Sequence, residues 1–419
     1  MDQRTSDRGT GLTAEFERDV VALLLEAMRV VDKQAREDLG TESVLYALLS
    51  GDSAAGSAIA PGMRASGSLA GSIGGRGTSV WVSEDAGDGT VGSPDDEREI
   101  DAFWREVRLE EAERLRRANR KQKDGQDQGQ ARGQGQGQGQ GSLELPPMTG
   151  AVRTCLRKAL EAAREEGAVS VRVRHLAHAL IGLPDTRARE AMVLRKMDVP
   201  AASAALDALR GSDEVPEPGS VLVLRKAGTF GKSGNPLTRK FTAWIFGGGA
   251  GFGSAVVSAV RAEAPRRAVR RGAPELEPVD VLLGILALER SLTVAGRELP
   301  EELAGANQGA ALLRRHGVRQ DAVTRVLLPS TGVAEEEPRE VRGHADFEQR
   351  LLHVAQFTAS AQGSPTVGTT HLLAALLDKG TDAESMAEIE RVLTASGADV
   401  AGLRAEPELR VPGGAAQAS

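Results

Sequence analysis

The chain has 419 residues, a net charge of −7, 40% apolar residues and 49 glycines, but only 8 Phe, 3 Trp and 1 Tyr. This length allows two or three domains, and the Ala-, Leu- and Val-based apolar content suits packed helices better than an aromatic-rich sandwich. The mild acidity argues against a dedicated nucleic-acid binder, and the single cysteine, Cys155, excludes an intrachain disulfide and a cysteine metal cluster.

The N-terminal stretch "MDQRTSDRGTGLTAEFERD" has no apolar signal-peptide core, and no run reaches the roughly 18 apolar residues of a membrane helix, so a cytoplasmic location is expected. Thr13 reads as an N-cap, followed by a stripe of period near 3.6 at Phe16, Val20, Leu23, Leu24, Ala27, Met28 and Val31. Residues 50–98 are rich in Gly, Ser and Asp, with one apolar patch, "SVWVS", and are expected to be disordered. The segment "DDEREIDAFWREVRLEEAERLRRANRKQ" predicts a strong, highly charged helix. The Gly-Gln repeats of 124–141 predict a flexible tether.

Helical stripes return at Val152, Cys155, Leu156, Ala159, Leu160 and Ala163, and at Phe347, Leu351, Val354, Ala355 and Ala359. Between them, "SVLVLRKAGTFGKSGN" at 220–235 places a short apolar run before Gly231-Lys232-Ser233, in the manner of a strand leading into a phosphate-binding loop. The tail after Pro412 is expected to be loose. Few segments alternate with period 2, so little sheet is expected.

An internal repeat is the main signal. Four segments start a short apolar helix after a turn: "GTESVLYALL" at 40–49, "RVRHLAHALI" at 172–181, "EPVDVLLGIL" at 277–286 and "GTTHLLAALL" at 368–377. Three are followed by a second shared phrase, at "VLRKMDVPAASAALDAL" from Val193, "LLRRHGVRQDAVTRVLL" from Leu312 and "VLTASGADVAGL" from Val392. The copies are too long and too few for a solenoid, and compact four-helix units are expected instead.

The order of long helix, Gly-Thr-x-His/Ser-Leu-Leu-x-x-Leu-Leu and a helix ending in Leu-x-x-x-Gly-Val resembles the Clp N-terminal repeat, the module at the front of ClpA- and ClpC-type unfoldases. The resemblance covers most of the ordered chain. It implies an all-α fold of two pseudo-twofold double-repeat domains. The first spans 10–212 (repeats 10–123 and 148–212) and the second 238–410 (repeats 238–330 and 340–410). A linker at 213–237 joins them, and 411–419 forms a tail. It also implies capture of substrates or adaptors for an attached motor and, in the ClpC type, a phosphoarginine receptor in which a motif Glu lies near the guanidinium. Carried over by position, the contact candidates are Thr41, Glu42 and Ser43, then Arg174 and His175, then Thr369, Thr370 and His371. In the third copy Pro278, Val279 and Asp280 stand at these places. Only Glu42 keeps the motif acid, and N-capping is the competing role for the Thr and Ser positions.

Chemical motifs fail their tests. A P-loop needs a glycine five residues before Gly231, where Lys226 stands. "FGGGAGFGS" at 246–254 contains no Gly-x-Gly-x-x-Gly and reads as a helix entry. His175 and His178 lie three apart without a third ligand, and His316, His344, His353 and His371 are scattered, so zinc is not expected. Cys155 sits on an apolar stripe as a small hydrophobe. No Gly-x-Ser-x-Gly elbow occurs. Arg266, Arg267, Arg270 and Arg271 are expected on a solvated helix face.

The expected function is therefore non-enzymatic protein or peptide binding without cofactor or metal. The chain would serve as an adaptor, substrate collector or decoy for a Clp system, as a monomer or weak dimer. The alternatives are sequestration of small molecules or peptides that target Clp N-domains, and a nucleotide-dependent enzyme built on Lys232.

Overall fold

The computed structural model describes residues 13–77, 80–90, 92–127, 145–211, 217–230, 254–329, 341–378 and 383–410. Of these, 69% are helical and 2% extended, in nineteen α-helices, so the chain is all-α. Its contacts divide it into two compact units, mainly Ala14–Glu214 and mainly Val215–Pro329 with Glu340–Ser419. The Gly-Gln segment after residue 127, Gly231-Lys232-Ser233, the glycine run 246–253 and the tail after Arg410 lie outside the described residues.

In the first unit, the short strand β1 (Glu15–Phe16) leads into α1 (Arg18–Lys33), whose stripe from Val20 to Val31 is buried as its period requires. The helix begins at the Glu17 N-cap, so Thr13 lies upstream of the cap, not in it. There follow α2 (Thr41–Ser50), α3 (Ala54–Ile59), α4 (Met63–Gly74) and the long α5 (Pro94–Asp127), whose first turn carries Asp95, Asp96 and Glu97 at the positive helix end. After α6 (Gly150–Glu165) and strand β2 (Ser170–Val171) come α7 (Val173–Gly182), α8 (Arg187–Leu194) and α9 (Val199–Ala208). One core joins them. Phe16 stacks on Phe103 of α5 with ring centroids 4.2 Å apart, among Leu24, Leu48, Ile100, Leu156 and Leu180.

The second unit begins with α10 (Gly219–Lys226) and α11 (Ala255–Arg271), then α12 (Pro278–Ala295), α13 (Glu301–Ala304), α14 (Gly309–Arg315) and α15 (Gln320–Leu327). It ends with α16 (Ala345–Ala361), α17 (Thr369–Leu376), α18 (Ala383–Ala395) and α19 (Val400–Ala405). Its core gathers Val257, Val260, Leu282, Leu286, Leu351, Leu373 and Val392.

The extended pieces are crossed in both units. The stretch before α1 pairs in parallel with the one before α7, Glu15 against Ser170 and Phe16 against Val171. Leu39, before α2, bridges Met148, before α6. In the second unit, Glu275, before α12, bridges Arg342, before α16. The Ser254 hydroxyl at the head of α11 donates to the Val367 carbonyl just before α17.

Two sequence expectations are corrected. Residues 50–98 are not uniformly unstructured: α3 and α4 lie there and bury Ala55, Ile59, Leu69 and Ile73. The loop beyond α4 is held by side chains of folded elements. Glu190 accepts from Val82 N at 3.0 Å and from Arg76 at 2.9 Å, and Arg157 donates to the Thr90 carbonyl at 2.6 Å. The span 213–237 is not wholly a linker either. Val221 and Leu224 are buried on α10, a helix and not a strand, which packs on α11 and α12.

Candidate functional site

The four motif segments all open helices, and each lies at a nearly constant distance from the start of the helix before it. The N-caps Glu17 and Gly40, Thr149 and Arg172, and Ser254 and Glu277 stand 23 residues apart, and His344 and Gly368 stand 24 apart. Numbering from the cap, the third helical residues are Ser43, His175, Asp280 and His371. Three of them return a bond to their own cap. His175 Nδ1 accepts from Arg172 N at 2.9 Å, Asp280 Oδ2 from Glu277 N at 2.9 Å, and His371 Nδ1 from Gly368 N at 3.0 Å. Each satisfies a backbone donor that a helix start leaves free. Ser43 makes no such bond; its hydroxyl lies 3.4 Å from Glu42 Oε1.

An imidazole that accepts through Nδ1 must carry its proton on Nε2 when neutral. His175 Nε2 lies 3.1 Å from Glu166 Oε2, and Arg174 forms a two-pronged pair with the same carboxylate. Burial, then the neighbouring Arg174 charge, lowers the His175 pKa to about 4. Burial pushes Glu166 up, but the hydrogen bonds from Arg174 and His175 outweigh it and bring that carboxyl to about 2. Both folded values lie below the ordinary ones, so the unfolded chain binds more protons, and stability present at neutral pH is lost on acidification. For His175 the loss falls between pH 6.5 and about 4. We expect the first unit to lose on the order of 3 kcal/mol there through this group. His175→Asn should flatten that part of a thermal-unfolding profile against pH, and an unchanged profile would refute the assignment.

The motif threonines do not cap their own helices. Thr41 is the first residue of α2, and its hydroxyl accepts from Ala188 N in the first turn of α8 at 3.0 Å. Thr369 opens α17 and accepts from Gly309 N at the head of α14 at 3.1 Å, while Thr370 accepts from Gln308 N at 2.9 Å. In each unit the Gly-Thr segment of one helix pair thus holds the start of a helix in the other.

The centre of the first unit's arrangement is a residue that the sequence did not single out. Asp85, 1% exposed and with φ at +58°, carries its carboxylate to the starts of three helices. Oδ2 accepts from Thr41 N at 2.8 Å and from the Thr149 hydroxyl at 2.9 Å. Oδ1 accepts from the Thr41 hydroxyl at 2.6 Å and from Arg187 N at 3.1 Å. Its carbonyl takes Ala151 N at 3.0 Å. Converging helix N-termini favour an anion, and here the chain supplies it. In the second unit Asn307 Oδ1 accepts from Thr369 N at 2.9 Å, a neutral group at the place where Thr41 N meets Asp85.

Glu42 is enclosed rather than presented. Its side chain is 1% exposed, paired with Arg36 and 3.6 Å from Arg187, which also forks onto Asp38 at 2.6 and 3.1 Å. Burial pushes its carboxyl above the ordinary range against the pull of Arg36 and Arg187. A Cβ on Gly40 would collide with this carboxylate, and one on Gly368 with the Ala306 carbonyl, so close approach accounts for the motif glycine.

The predicted contact residues are therefore not gathered at one opening. Thr41, Glu42, Ser43, His175, Thr369, Thr370 and His371 are all buried, and Arg174 is bound to Glu166. His178 turns away from His175, with Nε2 3.0 Å from the Ser203 hydroxyl. No group of three metal-ligating side chains occurs among the described residues. Cys155 is buried, and burial pushes its thiol up. Nor are the four arginines of α11 on one solvated face: Arg267 and Arg270 are buried, and Arg271 pairs with Glu277 at 2.7 Å and with Asp280 at 3.0 Å.

A concavity lies elsewhere, in the second unit. It holds about 260 Å3 and is lined by residues of α11 and α16 together with Leu276, Val281 and Leu372. Arg261 and Glu348, 2.7 Å apart, are among the lining residues. No helix of the described residues is long and apolar enough to cross a membrane. Comparison of the chain with family models, with curated proteins and with solved structures finds no match.

Proposed function

We propose that the chain is a non-enzymatic protein-binding module made of two double-repeat domains of the Clp N type, acting as an adaptor, substrate collector or decoy for a Clp proteolytic system. The observation that carries this reading is the crossed pairing of extended segments. In each unit the segment before one first helix meets the segment before the other half's second helix, and the reverse contact is also made. That exchange is what a pseudo-twofold relation between two copies of one helix pair produces. The near-constant spacing of the four motif caps supports the same relation.

The chemistry of the motif residues also favours binding over catalysis. The charged motif residues are engaged in neutralising and capping contacts inside each unit. Recognition by such a module therefore runs through helix faces and the grooves between them. Since Asp85 fills the convergence of helix starts beside Glu42, phosphoarginine at that place is not included in the proposal.

The test is co-purification of the full chain with purified Clp unfoldase, protease and adaptor components and with their substrates. Saturable binding to any of these supports the reading. Absence of affinity for all of them refutes it.

A further inference from the structure

One face of the first unit collects exposed aliphatic side chains. Val80 is 53% and Val82 89% exposed on the loop beyond α4, and Val193 is 62% and Leu194 49% exposed at the end of α8. Glu190 joins the two elements: its carboxylate accepts from Val82 N at 3.0 Å and from Ser83 N at 3.2 Å. Val193 and Leu194 lie three and four residues beyond Glu190, the spacing of neighbours on one helix face. Arg76, paired with Glu190 at 2.9 Å, stacks 5.0 Å above the Trp81 ring and holds the loop in place.

The fold does not require aliphatic residues there. The helices α8, α14 and α18 each close on a residue of positive φ: Lys196, Gly317 and Gly397. The N–H that follows each of these returns to the helix, Met197 to the Met192 carbonyl, Val318 to Leu313 and Ala398 to Leu393. Aligned on this turn, Met192, Leu313 and Leu393 coincide, and all three are buried. Val193 and Leu194 then stand where α14 has Arg314 and Arg315 and α18 has Thr394 and Ala395, places that are exposed in every copy. Two solvent-facing positions that carry arginines in one copy thus carry valine and leucine here, clustered with two more valines. Exposed apolar side chains gathered in this way mark an interaction surface, whereas scattered ones do not.

Exposed charges flank the patch with opposite signs at its two ends. Glu84 and Asp185 lie by the start of α8, brought together by the Ser83 hydroxyl, which donates to the Asp185 carbonyl at 2.6 Å. The bases of that end turn inward, Arg187 onto Asp38 and Arg189 onto the Ile181 carbonyl. Arg195 and Lys196 are exposed at the other end, about 12 Å along the helix. Such a patch is complementary to itself. A two-fold axis through its centre sets the acids of one copy on the bases of the other and packs the aliphatic side chains between them. We infer that this face is a self-association surface on which a second copy of the chain docks, with the two α8 helices antiparallel. The dimer presents each helical unit twice, so a partner that displays repeated binding segments is held at both copies and gains avidity without new contacts. The identity of the partner proposed above does not enter this inference.

Sedimentation equilibrium of the full chain is the test. The wild type should show a monomer–dimer equilibrium below roughly 100 μM, as a small interface gives. Leu194→Arg installs the residue that α14 carries at a half-exposed place, so the melting temperature should hold while Kd rises about tenfold or more. Arg195→Glu and Glu84→Arg should each weaken association when alone. An equimolar mixture of these two variants should recover it, because only the mixed pair sets unlike charges together at both ends. A wild type that stays monomeric at that concentration, association insensitive to Leu194→Arg, or a mixture that associates no better than either variant alone overturns the inference. A monomeric chain that binds a different protein through Val193 and Leu194 would assign the face to that protein and overturn it likewise.

Discussion

Asp85→Ala should unfold the first unit at markedly lower denaturant, with a loss of about 3–5 kcal/mol. The carboxylate takes two backbone amides and two hydroxyls, at 2.6–3.1 Å, from α2, the α6 cap and α8. Truncation leaves the Thr41 and Arg187 amides buried without an acceptor. It also removes the negative charge that faces three helix starts. Asp85→Asn retains one acceptor oxygen, as Asn307 does in the second unit, and should cost less than half as much. Urea unfolding followed by tryptophan fluorescence reads the difference, with hydrogen exchange at α2 and α8 to place it in this unit. Equal midpoints for wild type and Asp85→Ala would show that the carboxylate is not the keystone described here.

Arg36→Met should be nearly as damaging, about 3–5 kcal/mol. Its guanidinium pairs with Glu42, both side chains 1% exposed, and donates to the Ile73 carbonyl at 2.9 Å. Without it, a buried carboxylate keeps only Arg187, at 3.6 Å, as a counter-charge. Adding Glu42→Gln to Arg36→Met removes the stranded charge and should recover part of the loss, giving a coupling energy in a double-mutant cycle. The pH dependence supplies a second reading. Glu42 already has a raised carboxyl pKa from burial, and Arg36 is the largest opposing influence. Removing Arg36 raises it further, so the folded variant binds the extra proton. Stability is then regained as pH falls and lost as it rises. A deficit that is the same at mildly acidic and alkaline pH would contradict this account.

Much of the fold was legible because helix periodicity is local. The stripes of α1, α6 and α16 and the charged run of α5 needed no tertiary information. The four motif helices were found by their shared apolar spacing. Composition misled where few residues carry the packing: α3 and α4 lie in a Gly- and Ser-rich span, yet the pair Leu69 and Ile73, four apart, is a helical signal that averaging over the span concealed. The run Val221 to Leu224 was read as strand-like because a short apolar stretch does not distinguish strand from buried helix. The arginines of α11 were misplaced since their partners, Glu277 and Asp280 among them, lie across a turn.

The site was less legible than the fold. His175 and His371 were recognised as motif positions, and a capping role was weighed. Their acceptance of the cap amide needed coordinates. Asp85 carried no signal at all, since its partners Thr41, Thr149 and Arg187 lie 44, 64 and 102 residues away in sequence. The substitution of Arg261 for Leu24 is visible once the repeats are aligned on their caps.

The pairing of residues 15 and 16 with 170 and 171 also sets the order in which the chain can mature. A ribosome must make the chain as far as Val171 before β1 has a partner, roughly ten to thirty seconds of elongation at ~5–20 residues per second. For the earlier part of that interval the apolar stripe of α1 lacks α5, which packs on it in the folded unit. Long-range closure of this kind raises contact order and slows folding relative to a bundle of sequential neighbours. The nascent first unit thus keeps apolar surface uncovered during synthesis until its later helices complete the contacts of its first.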